Sequence, residues 1–106
     1  MDVRHISDFT GGWFIGNFEP SLLKCAGFEA GIKVHKKGED WPAHYHKIAT
    51  EYNVIVYGKM TIQNQVLTTG AVFVLKPYEV ADPIFHEETA IVCIKHPGAN
   101  NDKFEL

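Results

Sequence analysis

From Trp13 to Lys95 the chain is a succession of short β-type runs divided by turn residues, a pattern that leaves little room for helices. Phe28, Ala30, Ile32 and Val34 alternate with Glu29, Gly31 and Lys33. Successive side chains of a strand point to opposite faces, so this alternation predicts a half-buried strand with its apolar set toward the core. Trp13-Phe14-Ile15 reads as an earlier strand. The run Tyr52 to Tyr57 is apolar on both faces apart from Asn53, as in a central strand covered on both sides. Gly58 permits a tight turn into Lys59-Met60-Thr61-Ile62, and Asn64-Gln65 offers another before Val66-Leu67. Ala71 to Leu75 is expected to end by Pro77, because proline has no N–H for a ladder. Ala90 to Lys95 is the last clear strand, and Ser21 to Lys24 offers at most one helical turn. The whole predicts an all-β barrel or sandwich rather than a βαβ fold.

A chain of 106 residues supports one hydrophobic core, so residues 1–106 are read as a single domain. Residues 97–106, opening Pro97-Gly98-Ala99-Asn100-Asn101-Asp102, are expected to be a polar tail after the final strand. At 45% hydrophobic and 22% charged, the composition is that of a globular protein. A formal charge of −3 provides no basic footprint, which argues against a nucleic-acid partner. No window has the apolar length of a membrane span, and Met1-Asp2-Val3-Arg4-His5 does not open a secretory signal, so a cytoplasmic protein is expected. Cys25 and Cys93 lie far apart, without CxxC spacing, in apolar surroundings; they are read as buried free thiols.

Chemistry concentrates between Gly38 and Gly58. His44 and His46 stand two residues apart, and on a strand they share a face and present two imidazoles toward one point. Glu51 follows after room for a short turn and reaches the same point from the neighbouring strand. Two imidazoles and a carboxylate suit iron, manganese, nickel or zinc and leave coordination positions free. By parity Asn53, Ile55 and Tyr57 share the face of Glu51 and are expected to line the interior, while Tyr45 faces away and packs. His5, His35 and His96 fall outside any ligand spacing and are read as surface histidines.

The spacing G-x5-H-x-H-x4-E-x6-G, carried by Gly38, His44, His46, Glu51 and Gly58, resembles the first motif of the cupin superfamily at every fixed position. The resemblance implies a single antiparallel β-barrel or jelly roll holding a divalent transition metal on His44, His46 and Glu51. The family's second motif is degenerate: Gly70 starts it, Pro77 comes one residue late, and Glu79 and Asp82 replace the expected glycine and histidine. Aligned on Pro77, the fourth ligand falls on Asp82 and the asparagine position on His86. Asp82 is favoured as that ligand, and His86 is the alternative in another register. Glu79, close to these positions, is the candidate general base, the alternative being a solvated turn carboxylate.

What the resemblance implies about function divides three ways. The leading expectation is a metal-dependent enzyme of the dioxygenase, isomerase or lyase type, acting on a small polar molecule such as an organic acid, keto compound or sugar derivative. The others are a non-catalytic small-ligand sensor and a metal-free cupin that modifies nucleotide-linked sugars with a histidine base. A homodimer is expected by analogy with small barrels, since the two-faced run Tyr52 to Tyr57 needs cover.

Overall fold

Turn chemistry sets the strand boundaries in the computed structural model, which describes all residues 1–106. Strands β5 (Lys59–Ile62) and β6 (Gln65–Thr68) form a hairpin through Gln63 and Asn64, at φ 48° and 60°. Two consecutive left-handed residues make the type I′ turn whose twist matches the flanking strands. The turn thus sits one residue earlier than the sequence suggested. Gly58, at φ +118°, passes β4 (Thr50–Tyr57) into β5, and a Cβ there would lie 2.5 Å from both the Glu88 carbonyl and Thr89 Oγ1. Only glycine meets both the angle and the approach. β7 (Val72–Leu75) stops short of Pro77, as expected.

The remaining strands are β1 (Trp13–Ile15), β2 (Glu29–His35), β3 (His44–Tyr45), β8 (Ile84–Phe85), β9 (Thr89–His96) and β10 (Phe104–Glu105). They build a five-stranded sheet in the order β1-β2-β9-β4-β7, a three-stranded sheet β6-β5-β8 and a two-stranded β10-β3 ladder, all antiparallel. The sheets do not close through continuous hydrogen bonding, so the architecture is a jelly-roll sandwich rather than a sealed barrel. Its core joins Ile55, Leu75 and Ile91 of the larger sheet to Met60, Ile62 and Phe85 of the smaller. Each such side chain contributes about 1.5–3 kcal/mol on burial. No helix is long and apolar enough to cross a membrane.

Four expectations change. In β2 the faces are inverted from Gly31 onward: Gly31 and His35 are buried and Lys33 is half-buried, while Val34 is 55% exposed; before it, Glu29 and Ala30 are both buried. The register aligns Ile32 with Val92, Val92 with Val54, and Val54 with Val72, so one apolar face runs outward across four strands. Tyr52, Val56, Val74 and Ile94 are exposed on it, so β4 is covered on one side only in the single chain. Tyr57 leaves the inner face because the register shifts between Ile55 and Tyr57; its exposed hydroxyl donates to Glu88. Residues 97–106 dock rather than trail: β10 pairs with β3, and the backbone N–H of Ala99 donates to the buried Glu29.

Candidate metal centre

β3 is a two-residue strand held on both sides, and this fixes the aim of its histidines. Phe104 and Glu105 pair with Tyr45 and His44 on one edge. On the other, His44 exchanges backbone hydrogen bonds with Ala81 at 3.0 and 2.8 Å, and Tyr78 N–H donates to the His46 carbonyl at 2.7 Å. Tyr45 points to the opposite side and stacks between Tyr78 and Phe104, the packing role its parity predicts. The turn from β3 into β4 is built on Asp102, whose carboxylate accepts the backbone N–H groups of Lys47, Ile48 and Ala49 at 2.9–3.2 Å. Burial pushes the Asp102 carboxyl up, and the three amides more than reverse it, leaving it below the usual aspartate value. That cap delivers Glu51 to the histidines.

His44, His46 and Glu51 are all buried, and each offers a ligand atom within 4.8 Å of the others. The imidazole planes stand at 89°, with ring centres 5.4 Å apart. His44 Nδ1 donates to the Pro42 carbonyl at 3.1 Å, which frees Nε2 as the ligating atom. Burial pushes the His44 pKa down, with Lys103 and His46 acting the same way, so its imidazole is neutral at pH 7, the form a metal requires. His46 Nδ1 lies 2.9 Å from Glu51 Oε2, while its fully enclosed Nε2 has no partner. Burial raises the Glu51 carboxyl, but His46, Lys95 and the Cys93 thiol outweigh it and hold the group well below the usual carboxylate range. Cys93 donates to Glu51 Oε1 at 3.3 Å, and burial and that carboxylate keep it a thiol. An ionised carboxylate, a neutral imidazole and a second imidazole with an orphaned buried nitrogen, gathered with ligand atoms within 4.8 Å of one another, fit a divalent cation.

Asp82, His86 and Glu79 are not brought to this cluster. Ala81 is the buried, inward residue of its segment, so alternation turns Asp82 outward, where it accepts the Gln63 backbone N–H at 2.8 Å. His86 is exposed and bonded to the Thr61 hydroxyl at 2.6 Å. Glu79 caps its own turn by accepting the Lys76 N–H at 2.8 Å.

Other residues take the space above the cluster, a cavity of about 140 Å³. His35 lines it, buried and stacked 4.2 Å from Phe85, with its Nδ1 bonded to the Glu39 carboxylate. That hydrogen bond lowers the Glu39 carboxyl. His35 is therefore an interior residue, not a surface one. The signal for it lay in β2 itself: Lys33 and His35 share one face, which is polar there because it borders a cavity rather than solvent.

No family model matches the sequence, and no curated protein matches it significantly. Solved structures do match. A double-stranded β-helix protein from Klebsiella pneumoniae is 15% identical over 97% of this chain and 89% of its own, with a TM-score of 0.71. The ectoine synthase of P. lautus is 15% identical over 100% and 90%, at 0.65. A cupin protein from Bacteroides fragilis is 22% identical over 77% and 75%, at 0.59. The chain has the cupin fold.

Proposed function

We propose that this cupin-fold protein is a metal-dependent enzyme acting on a small polar molecule, with His44, His46 and Glu51 holding a divalent iron, manganese, nickel or zinc ion. The observation that carries the reading is the convergence of three buried residues whose ligand atoms lie within 4.8 Å of one another, beside a cavity that all three line, with His46 Nε2 buried and unpartnered. Two histidines and one carboxylate leave coordination positions open, and such an ion supplies Lewis acidity or, as iron, oxygen chemistry.

The chain's own residues do the rest. The Pro42 carbonyl fixes the His44 tautomer, and Asp102 fixes the turn that delivers Glu51. Trp41, Phe73 and Phe85 supply apolar wall to the cavity. His35, oriented by Glu39, is placed to accept or return a proton at Nε2 from a molecule in the cavity. A paired imidazole at that place favours catalysis over simple binding, and similarity to an enzyme such as ectoine synthase agrees with it without fixing a substrate.

A thermal-shift series with each of the four metals tests the reading. A metal at about one hundred times its Kd stabilises the fold by about 2.7 kcal/mol, a rise expected in the wild-type protein and absent in Glu51→Gln. Equal shifts in both proteins would place binding elsewhere.

The homodimer belongs to the same proposal. The apolar face across β2, β9, β4 and β7 is supported as its interface by the exposure of Val34, Val72, Val74 and Ile94, since monomers rarely leave so continuous a patch in water. The free thiols Cys25 and Cys93 support a reducing, cytoplasmic setting.

A further inference from the structure

Three ammonium groups and two indoles gather on the wall of the cavity. Lys33 Nζ lies 5.1 Å from the Trp41 ring centre and 5.7 Å from that of Trp13. Lys95 stands 4.7 Å from Trp13, and Lys103, brought in by the docked tail, 4.7 Å from Trp41. All five residues line the cavity together with His44, His46 and Glu51. None of the lysines makes an ion pair. The nearest carboxylates are engaged elsewhere, Glu39 by His35 and Glu51 by His46 and Cys93.

The arrangement is electrostatically incomplete. Burial, and then the charges of Lys103 and Lys95, push the Lys33 pKa down, so the three cations oppose one another. Lys103 also acts on His44, and Lys95 on Glu51, so the lysines and the ligand cluster share one field. The indole faces offset part of the repulsion. Glu51 is the single formal anion among the three ligands, and a divalent cation there would leave the cavity still more positive. A second, independent feature lies in the same space: Asn53 is 5% exposed, and its Nδ2 has no hydrogen-bond partner. A buried donor without a partner is a cost that a ligand oxygen removes.

We propose that the cavity takes a small anionic substrate, its carboxylate or phosphate oxygens held by Lys33, Lys95 and Lys103 and a further oxygen accepting from Asn53 Nδ2. This deepens the metal-enzyme reading, and rests on it only for which end of the molecule reacts. Lysine offers a compact point charge without the planar fork of arginine, so carboxylate and phosphate are both matched.

The chain has two tryptophans, Trp13 and Trp41, and both line the cavity, so intrinsic fluorescence reports on this site. Protein stripped of metal and dialysed is titrated with malonate, inorganic phosphate and uncharged malonamide. A saturable change is expected with at least one anion and none with malonamide, and the preferred anion distinguishes carboxylate from phosphate. Lys33→Met and Lys95→Met, which keep the aliphatic packing on the indoles, should each weaken binding about tenfold or more. Lys103→Met, outside the main sheet, repeats the test where a core variant fails to fold. No saturable response to either anion, or unchanged affinity in the folded lysine variants, overturns the proposal. Because the titration is run without metal, its outcome is independent of whether His44, His46 and Glu51 bind one.

Discussion

The inner face of the five-stranded sheet is apolar at Ile55, Leu75 and Ile91, where it meets the smaller sheet, but around the cavity the sheet's two faces carry opposite chemistry in the reverse of the usual sense. Toward the interior β2, β4 and β9 present Lys33, His35, Glu51, Asn53, Cys93 and Lys95; toward the outside the same strands present Ile32, Val34, Tyr52, Val54, Val92 and Ile94. Polar groups survive inside because each is paired, as His35 with Glu39 and Cys93 with Glu51, or borders the cavity. So continuous an apolar face outside is the surface proposed above as the dimer interface. The difference teaches that a period-two pattern reveals which residues share a face but not which face is inside. A strand that lines a ligand cavity and backs onto a partner reads as inside out.

The sharpest way to break the comparison is to place charge on the outer face. Val54→Lys with Val72→Lys puts two like charges side by side on the β4–β7 ladder. Sedimentation should fall from roughly twice the 11.9 kDa chain mass to the chain mass itself, with circular dichroism unchanged. A wild-type protein already sedimenting as one chain removes the partner from the account.

A smaller effect sharpens the inner side. Asp102→Asn weakens the three amide contacts that hold the turn before Glu51, and about 1.5–3 kcal/mol of stability should be lost at neutral pH by chemical denaturation. The folded-state pKa of Asp102 lies below the ordinary 3.8, so the stabilisation is fully present above that pH. As pH falls through the depressed folded value, the aspartate protonates and the gap between wild type and Asp102→Asn closes. A gap that is constant across the acid range would assign the loss to packing instead of charge.

How much was legible follows from which features are local. His44, His46 and Glu51 lie within eight residues, and strand alternation plus one short turn suffices to bring them together. Gly58 and Pro77 mark strand ends because each imposes its own backbone constraint. Asp82 was placed by counting from Pro77, but its direction depends on how the segment around Ala81 lies against β3, a pairing distant in sequence. Lys103 and Asp102 were hidden for the same reason: a polar run reads as a tail until its contacts with Lys47, Ile48 and Ala49 are known. His35 was lost to the inverted face of β2.

The central claim is that the His44, His46 and Glu51 groups form a metal site, and elemental analysis of the purified protein tests it most directly. The account predicts about one iron, manganese, nickel or zinc ion per chain, lost in a folded His44→Ala/His46→Ala variant. A wild-type protein that holds no metal even after loading, or a double variant that retains it in full, would contradict the account.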